Sequence, residues 1–520
     1  MTDDPERRPV PSGGRRSLRR EVGSGFRRAL GLTALGTLLP GAGLTRTRSR
    51  RWGWGLLATF LASLALLGYV VLTRGLRSFG LLVASNTRYL LILTIVLAVG
   101  GFVWCASIVA TAIQARPRRL DRTRTRSLAV FTTLMVALVG GFAYKGAEFA
   151  LIGRDTVGVI FKASPQEPGQ GAEVVEGEDP WAETPRVNIL LLGSDAGVNR
   201  EGTRTDSMIV ASTDTRTGRT VLISLPRNLQ GVPLPETSKL RDWWPSGVYG
   251  EPRCFREEKD ANDPCMLNSI WSEVDEYRAE NPGAYPASDD APGRSETRDV
   301  IGEVLGLEID HTVVVDLKGF SQLVDAMGGV TINVKLGGYD GNTPIPYGPL
   351  KANGRYTSYF DEPGPMKMNG YQALWYARSR AADDDFNRMS RQRCVVQAVL
   401  NQVSPTAMLA KYADIARIAR ENVWTDIPAA NLPAFVELVE RIQDTGNFVS
   451  VGLDPSNGIV SGNPDYDRIR SLVQKAINPP KRTTPTKPST TPGSAPSTTP
   501  GTSTPAPTST TPAAEVDPCA

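Results

Sequence analysis

The sequence predicts an α/β domain standing behind N-terminal transmembrane helices. Three observations carry that class. Long apolar stretches at roughly 53–72, 89–113 and 128–152 fall in the first third of the 520 residues, and each is about the length of a bilayer crossing. Beyond them, short apolar runs of strand type alternate with helical patterns, which implies a sheet covered by helices on its faces, an α-β-α sandwich with a mixed sheet. From about Pro479 the chain becomes Thr-, Pro- and Ser-rich. Such a composition buries too little apolar surface to fold, so 479–520 is expected to be a disordered tail.

Residues 1–52 form a basic segment without the short apolar core and cleavage site of a signal peptide. Arg46, Arg48, Arg50 and Arg51 precede the first apolar stretch. Arg116, Arg118, Arg119, Arg122, Arg124 and Arg126 precede the third, and only Arg74, Arg77 and Arg88 lie between the first and second. Arginine-rich flanks stay on the cytoplasmic side, so the first and third spans run outward and the chain after about residue 152 is expected outside the cytoplasm. The stretch 29–44 is apolar but short and is broken by Pro40-Gly41. It is expected to be interfacial or re-entrant; were it to span, the main domain would be cytoplasmic. Residues 153–184 are Gly-, Glu- and Pro-rich and read as a linker. The folded part beyond is divided at this stage into a domain at 185–405 and a mainly helical part at 406–478.

The single histidine, His311, leaves no room for a His-based triad or a His-ligated zinc site, and there is neither a G-x-S-x-G elbow nor a Walker A loop. An outer domain of this kind needs a substrate that arrives already activated. Of five cysteines, Cys105 lies in an apolar stretch, Cys394 in a predicted helix and Cys519 in the tail. Cys254 and Cys265 lie close together in a polar region, and outside the cytoplasm they are expected to form a disulfide closing a short loop.

Taken in order, 189–192 reads as a strand ending at Gly193, with Asp195 just past it. A second strand, 208–211, follows Arg204 and Asp206; two residues apart, these point the same way on an extended chain. The segment 215–218 reads as a hairpin turn, and a third strand, 221–225, runs into Pro226-Arg227. A polar insertion at 230–262 and a surface loop at 280–295 come next. Residues 312–317 read as a strand, 319–327 as a short helix stopped by Gly328-Gly329, and 330–334 as a strand. Residues 369–377 are helical in pattern. Arg378 and Arg380 act together only if that helix has ended between them. Arg388 and Gln392, four apart, share a face of the next helix, whose buried side carries Val395, Val396 and Val399. Helices and a strand at 448–453 complete the fold.

Residues 378–393 hold five arginines and no lysine. Guanidinium groups grip phosphate through two parallel hydrogen bonds, which points to a phosphorylated ligand; the competing reading is a solvated helix face. Asp195 and Asp206 are hard oxygen donors. Two carboxylates, phosphate oxygens and water suit Mg²⁺, and arginines beside them keep them ionised. Singly, Asp195, Asp206 and Arg227 are equally ordinary loop charges; the set favours a site.

The ordered motifs NILLLGSD, RTDSMIV, SLPRNL, VVVDLKGFSQLVDAMGGV, MNGYQALWYARSR and DDDFNRMSRQR, between residues 185 and 405, resemble the LytR–CpsA–Psr family, with an actinobacterial flavour in the three spans and the Arg-rich, Lys-poor composition. The resemblance implies membrane-anchored phosphotransferases with an extracytoplasmic α-β-α domain, which move a glycopolymer from a polyprenyl-diphosphate carrier to peptidoglycan. The implied partners are that lipid-linked polymer, peptidoglycan and the membrane, with no nucleic acid. On the matching positions it implies Mg²⁺ on Asp195 and Asp206, pyrophosphate contacts from Arg204, Arg227, Arg378, Arg380, Arg388 and Gln392, and catalytic roles for Arg204, Arg227 and Asp385. Two positions depart from the pattern: Asn228 stands where the family commonly has Asp, and Met266 stands in place of a frequent Lys before Leu267-Asn268. A non-catalytic module that binds the same lipid, and a hydrolase of it, are the alternatives. A spacer reaching into the wall is one expectation for the tail.

Overall fold

The computed structural model describes residues 14–118, 120–160, 174, 179–194, 205–250, 265–338, 340–403, 411–479 and 519. Asp195, Arg204 and Cys254, most of the expected linker and most of the tail lie outside the described residues. The chain divides into two compact units, Met1–Val159 and Ile160–Ala520.

The first unit is helical: α1 (Gly14–Leu38), α2 (Arg50–Arg74), α3 (Leu76–Ser85), α4 (Thr87–Ala115) and α5 (Arg122–Ile160). Among the described residues three helices are long and apolar enough to cross a membrane, at Arg50–Thr73, Thr87–Ala115 and Arg122–Val157. They turn large apolar side chains outward, among them Leu64, Leu66, Phe102 and Phe142, as a helix does where its surroundings are hydrocarbon. Residues 29–44, expected to be interfacial or re-entrant, are helical to Leu38 and then turn. They are the end of α1, which packs on α4 and accepts a hydrogen bond from Trp104 Nε1 at the Gly36 carbonyl (2.9 Å), followed by a turn. Gly41 makes that turn at φ 80°, and a Cβ there would stand 2.6 Å from the Gly53 carbonyl oxygen. At its other end α5 continues to Ile160, so the first residues assigned to the linker are helical.

The second unit opens with β1 (Arg186–Ser194), β2 (Thr205–Asp214), β3 (Thr220–Ser224), β4 (Val232–Pro233) and β5 (Val248–Tyr249). Then come α6 (Ile270–Glu280), α7 (Pro292–Leu305), β6 (His311–Asp316), α8 (Leu317–Met327), β7 (Val330–Val334), β8 (Ile345–Leu350), β9 (Tyr356–Phe360) and β10 (Gly364–Met368). The unit closes with α9 (Gly370–Arg378), α10 (Asp385–Gln402), α11 (Tyr412–Asn422), β11 (Val423–Thr425), α12 (Leu432–Thr445), β12 (Phe448–Gly452) and α13 (Tyr466–Ile477).

The central sheet has the order β11-β6-β1-β2-β3-β12. It is mixed: β1 runs parallel to β6 and β3 to β12, while β2 is antiparallel to both of its neighbours and β11 to β6. Alternation along the strands sends Leu190, Leu192, Met208, Val210, Val221 and Ile223 to one face, against Ile270, Val300, Ile301 and Ile469 of α6, α7 and α13. Ile209, Ala211 and Leu222 face the other way, against Phe435, Leu438 and Ile442 of α12 with Val396 and Leu400 of α10. Both faces of the sheet are therefore dry, which is why the central strands read as unbroken apolar runs. A satellite core joins β7 and β10 to α8, α9 and α10 through Val330, Ile332, Met368, Tyr376 and Val395.

Both edge strands come from 406–478, so that segment is integral to the sandwich and does not form a separate part. Within the tail one further contact is described: Cys519 is disulfide-bonded to Cys394 of α10, with Cα atoms 5.2 Å apart and a sequence separation of 125. Cys265 is disulfide-bonded as well; its expected partner Cys254 lies outside the described residues. A link across so long a loop restricts the unfolded chain most. Cys519→Ser is expected to lower stability by about 2–4 kcal/mol, read as a shifted midpoint in chemical denaturation, and to remove the 394–519 cross-linked peptide from a non-reducing digest.

Candidate functional site

The site lies where the parallel strands β1 and β6 end. Ser194 closes β1 opposite Thr205, the first residue of β2, across a register irregularity at Gly193/Ser194. The carboxyl ends of parallel strands are where open α/β sheets hold ligands. The loop after β3 arrives at the same edge. Pro226 has no N–H to continue the ladder, and the turn is pinned from outside: Asn268 N–H donates to the Arg227 carbonyl (3.0 Å) and Leu267 N–H to that of Leu229 (2.9 Å). Arg227 Nη1 then meets Asp206 Oδ1 at 3.3 Å.

Helix α10 supplies the opposite wall. Its N-cap Asp384 accepts the Asn387 N–H (2.8 Å), which fixes where the first turn begins. Arg388 is 2 % exposed; its Nη1 donates to the Asp206 carbonyl (3.1 Å) and its Nη2 to Asp385 (3.0 Å). One turn on, Gln392 Oε1 accepts from Ser207 Oγ of β2 (3.3 Å). The four-residue spacing therefore does put Arg388 and Gln392 on the face that lies over β2.

Helix α9 supplies the rest. It ends at Arg378, and Ser379 is extended (φ −58°, ψ 132°), so the helix stops where Arg378 and Arg380 need it to. Arg380 Nε pairs with Asp385 Oδ1 at 3.2 Å. Asp385 thus lies between Arg380 and Arg388. Partial burial first, and then the positive charges of Arg388 and Arg227, push the Arg380 guanidinium below its ordinary pKa, while Asp385 and Asp206 oppose the shift. Arg378 is exposed and has no ion-pair partner among the described residues.

The structure divides the five-arginine stretch. Arg380 and Arg388 join Arg227 around Asp206 and Asp385, with exposed Arg378 at the end of α9 two residues before Arg380. Arg391 turns behind the site to Asp383. Arg393 lies under the sheet, donating to the hydroxyls of Ser224 and Ser450, and burial pushes it down to about 10. Asp195 and Arg204 lie outside the described residues.

Two contributors escaped the sequence reading. Thr205 is 1 % exposed, and among the described residues its Oγ1 has no hydrogen-bond partner; Arg388 Nε and Asn228 Oδ1 are likewise buried without partners there. Thr205 adjoins Asp206, Arg388 bonds to it, and Asn228 follows Arg227. Buried polar atoms are almost always paired in folded proteins, so the orphaned Arg388 Nε, on the guanidinium that donates to the Asp206 carbonyl, marks a place for a polar acceptor. For Thr205 the signal was its position between two site residues; for Asn228 the departure from Asp had been noted without a geometry. Asp206, the described member of the expected carboxylate pair, is a hard oxygen donor of the kind that Mg²⁺ takes. Among the described residues no group of three or more His, Cys, Asp or Glu gathers as a metal site.

The family model described as "LytR_cpsA_psr family" matches residues 162–467, more than half of the chain. The chain is 27 % identical over 256 residues to the polyisoprenyl-teichoic acid–peptidoglycan teichoic acid transferase TagU of Oceanobacillus iheyensis, covering 48 % of this chain and 61 % of that one. It is 27 % identical over 265 residues to biofilm regulatory protein A of Streptococcus mutans, covering 50 % and 53 %. With TagU of Bacillus subtilis it shares 24 % over 323 residues, 61 % of this chain and 83 % of that one. The matches thus span under two thirds of the first two relatives. Among solved structures, that of B. subtilis TagV aligns with a TM-score of 0.37 at 23 % identity over 56 % of this chain and 97 % of that one. A structure described as "TagT bound to LIIa-WTA" aligns with a TM-score of 0.37 at 17 % identity, over 59 % and 96 %.

Inorganic pyrophosphate is expected to raise the Tm of the wild-type chain in a thermal-shift measurement. Arg388→Ala, which removes a guanidinium already poised with a free Nε, is expected to abolish most of that rise.

Proposed function

The chain belongs to the LytR–CpsA–Psr family, and from that footing we propose that it moves a glycopolymer from a polyprenyl-diphosphate carrier onto peptidoglycan. One observation carries the reading: Arg227, Arg380 and Arg388, from three separate stretches, gather round Asp206 and Asp385, and the buried Arg388 Nε has no partner among the described residues. That set suits a diphosphate, which offers acceptors to the guanidinium groups.

The chemistry follows from charge. The diphosphate is already activated, so no nucleotide is needed. A hydroxyl of the acceptor, the muramic acid 6-OH in this reading, attacks the phosphorus that carries the sugar. A new phosphodiester forms, the bond from that phosphorus to the bridging oxygen breaks, and polyprenyl phosphate leaves with the electron pair. The arginines neutralise charge on the diphosphate oxygens as that bond lengthens. An aspartate of the site takes the acceptor's proton. Mg²⁺, held by Asp195 and Asp206, supplies further charge neutralisation when bound. In the same reading the three apolar helices make a multi-pass membrane anchor and the second unit faces outward, as the arginine distribution favours.

The test takes the full-length chain in detergent with a short polyprenyl-diphosphate glycan, a peptidoglycan oligomer and Mg²⁺, and follows the products by mass spectrometry. A glycan phosphodiester on the oligomer, reduced about 100-fold or more by Arg378→Ala and by Asp206→Ala, is the expected result. Cleavage of the lipid without an adduct would replace transfer by hydrolysis, and tight binding of the lipid with no turnover would leave a binding module.

A further inference from the structure

Arg391 lies outside the site, yet its side chain holds the turn that presents two of the site's arginines. The guanidinium is 6 % exposed and the Asp383 carboxylate 3 %. Nε donates to the Tyr376 carbonyl (3.0 Å) and Nη2 to the Ser379 carbonyl (2.5 Å). Nη1 and Nη2 together grip Asp383, at 2.5 and 3.0 Å. These acceptors bracket the functional pair: Tyr376 and Ser379 lie on either side of Arg378, and Ser379 and Asp383 on either side of Arg380. One planar group therefore fixes the end of α9, the extended step at Ser379 and the approach to α10. It does so from the helix that carries Arg388 three residues earlier. The turn is tied a second time by Ser379 Oγ, which donates to the Pro346 carbonyl (2.8 Å). It is packed from outside at Gly337, where a Cβ would lie 2.8 Å from Ala382 Cβ and 3.0 Å from Asp383 Oδ2.

We propose that Arg391 and Asp383 are positioning residues, which set Arg378 and Arg380 at the reach and angle that the diphosphate requires. The inference rests on the reading of the site as a diphosphate site and deepens it. Lysine cannot serve in place of Arg391, because a single ammonium cannot meet two carbonyls and both carboxylate oxygens in one plane. Removing either partner outright leaves a buried charge and threatens the fold. The test therefore uses Arg391→Lys, which keeps the charge, and Gly337→Ala, which crowds Asp383 and alters no charge.

The experiment is calorimetric titration of inorganic pyrophosphate into the full-length chain in detergent, with the Tm of each unliganded variant measured alongside. The variants are Arg380→Ala, Arg391→Lys, Gly337→Ala and each of the latter two combined with Arg380→Ala. Arg391→Lys is expected to weaken binding about tenfold in the wild type and about threefold or less once Arg380 is gone, because residues acting through one another are not additive. Gly337→Ala is expected to show the same pattern in milder form, and it decides the matter if Arg391→Lys does not fold. Equal losses in both backgrounds, or a fall in Tm with unchanged affinity, would make the pair merely structural and overturn the inference while leaving the site intact. A wild-type chain with no affinity for pyrophosphate would instead overturn the diphosphate reading, and this inference with it.

Discussion

Among the described residues three guanidinium groups, those of Arg227, Arg380 and Arg388, crowd one end of the sheet with Asp206 and Asp385 between them, and holding such like charges together is the constraint on which the rest of the domain turns. Like charges at such separations repel, and Arg380 is lowered first by partial burial and then by the charges of Arg388 and Arg227. An arrangement of that kind holds only if each group is fixed by something other than its neighbours. Arg227 is fixed by a proline-ended strand and by backbone bonds from the 267–268 segment. Arg388 is fixed by its burial and by the Asp206 carbonyl. The sandwich, dry on both faces, is the rigid frame on which those anchors are mounted. The surplus positive charge is what an anionic ligand relieves, so the site is built to be most comfortable when filled.

How much of this could be read beforehand depended on the range of the forces involved. The strands β1, β2 and β3 and the role of α10 were legible because alternation and helical spacing are local properties. The spacing of Arg388 and Gln392 was enough to place both over β2. It could not say that Arg391 turns behind the site or that Arg393 passes beneath the sheet, because which neighbours await a given helical face is set by tertiary packing. β11, three residues long, carries no periodicity that could be recognised. For that reason the segment 406–478 reads as mainly helical, with the one strand at 448–453, although both edges of the sheet come from it. The segment 29–44 reads as interfacial or re-entrant because its apolar part is short; that it continues a helix whose earlier half is charged carries no apolar signal. Pairing of cysteines is not a property of sequence spacing, and the partnership of Cys394 with Cys519 was invisible for that reason.

The orphaned atoms teach a related lesson. Thr205 and Asn228 are ordinary residues by composition, and nothing about a threonine or an asparagine announces a ligand. They become informative only when their surroundings are seen to be dry and their partners missing. Asn228 is the more instructive of the two. A neutral amide there, in place of a carboxylate, leaves the balance of charge at the site further toward the positive.

The disulfide between Cys394 and Cys519 alters what the Thr- and Pro-rich stretch can do. Since α13 ends at Ile477 on the same domain, that stretch is fastened at both ends. A strand fastened twice extends at most half as far as one of the same contour fastened once. A single proteolytic cut between the two attachments would leave both pieces covalently joined to the domain.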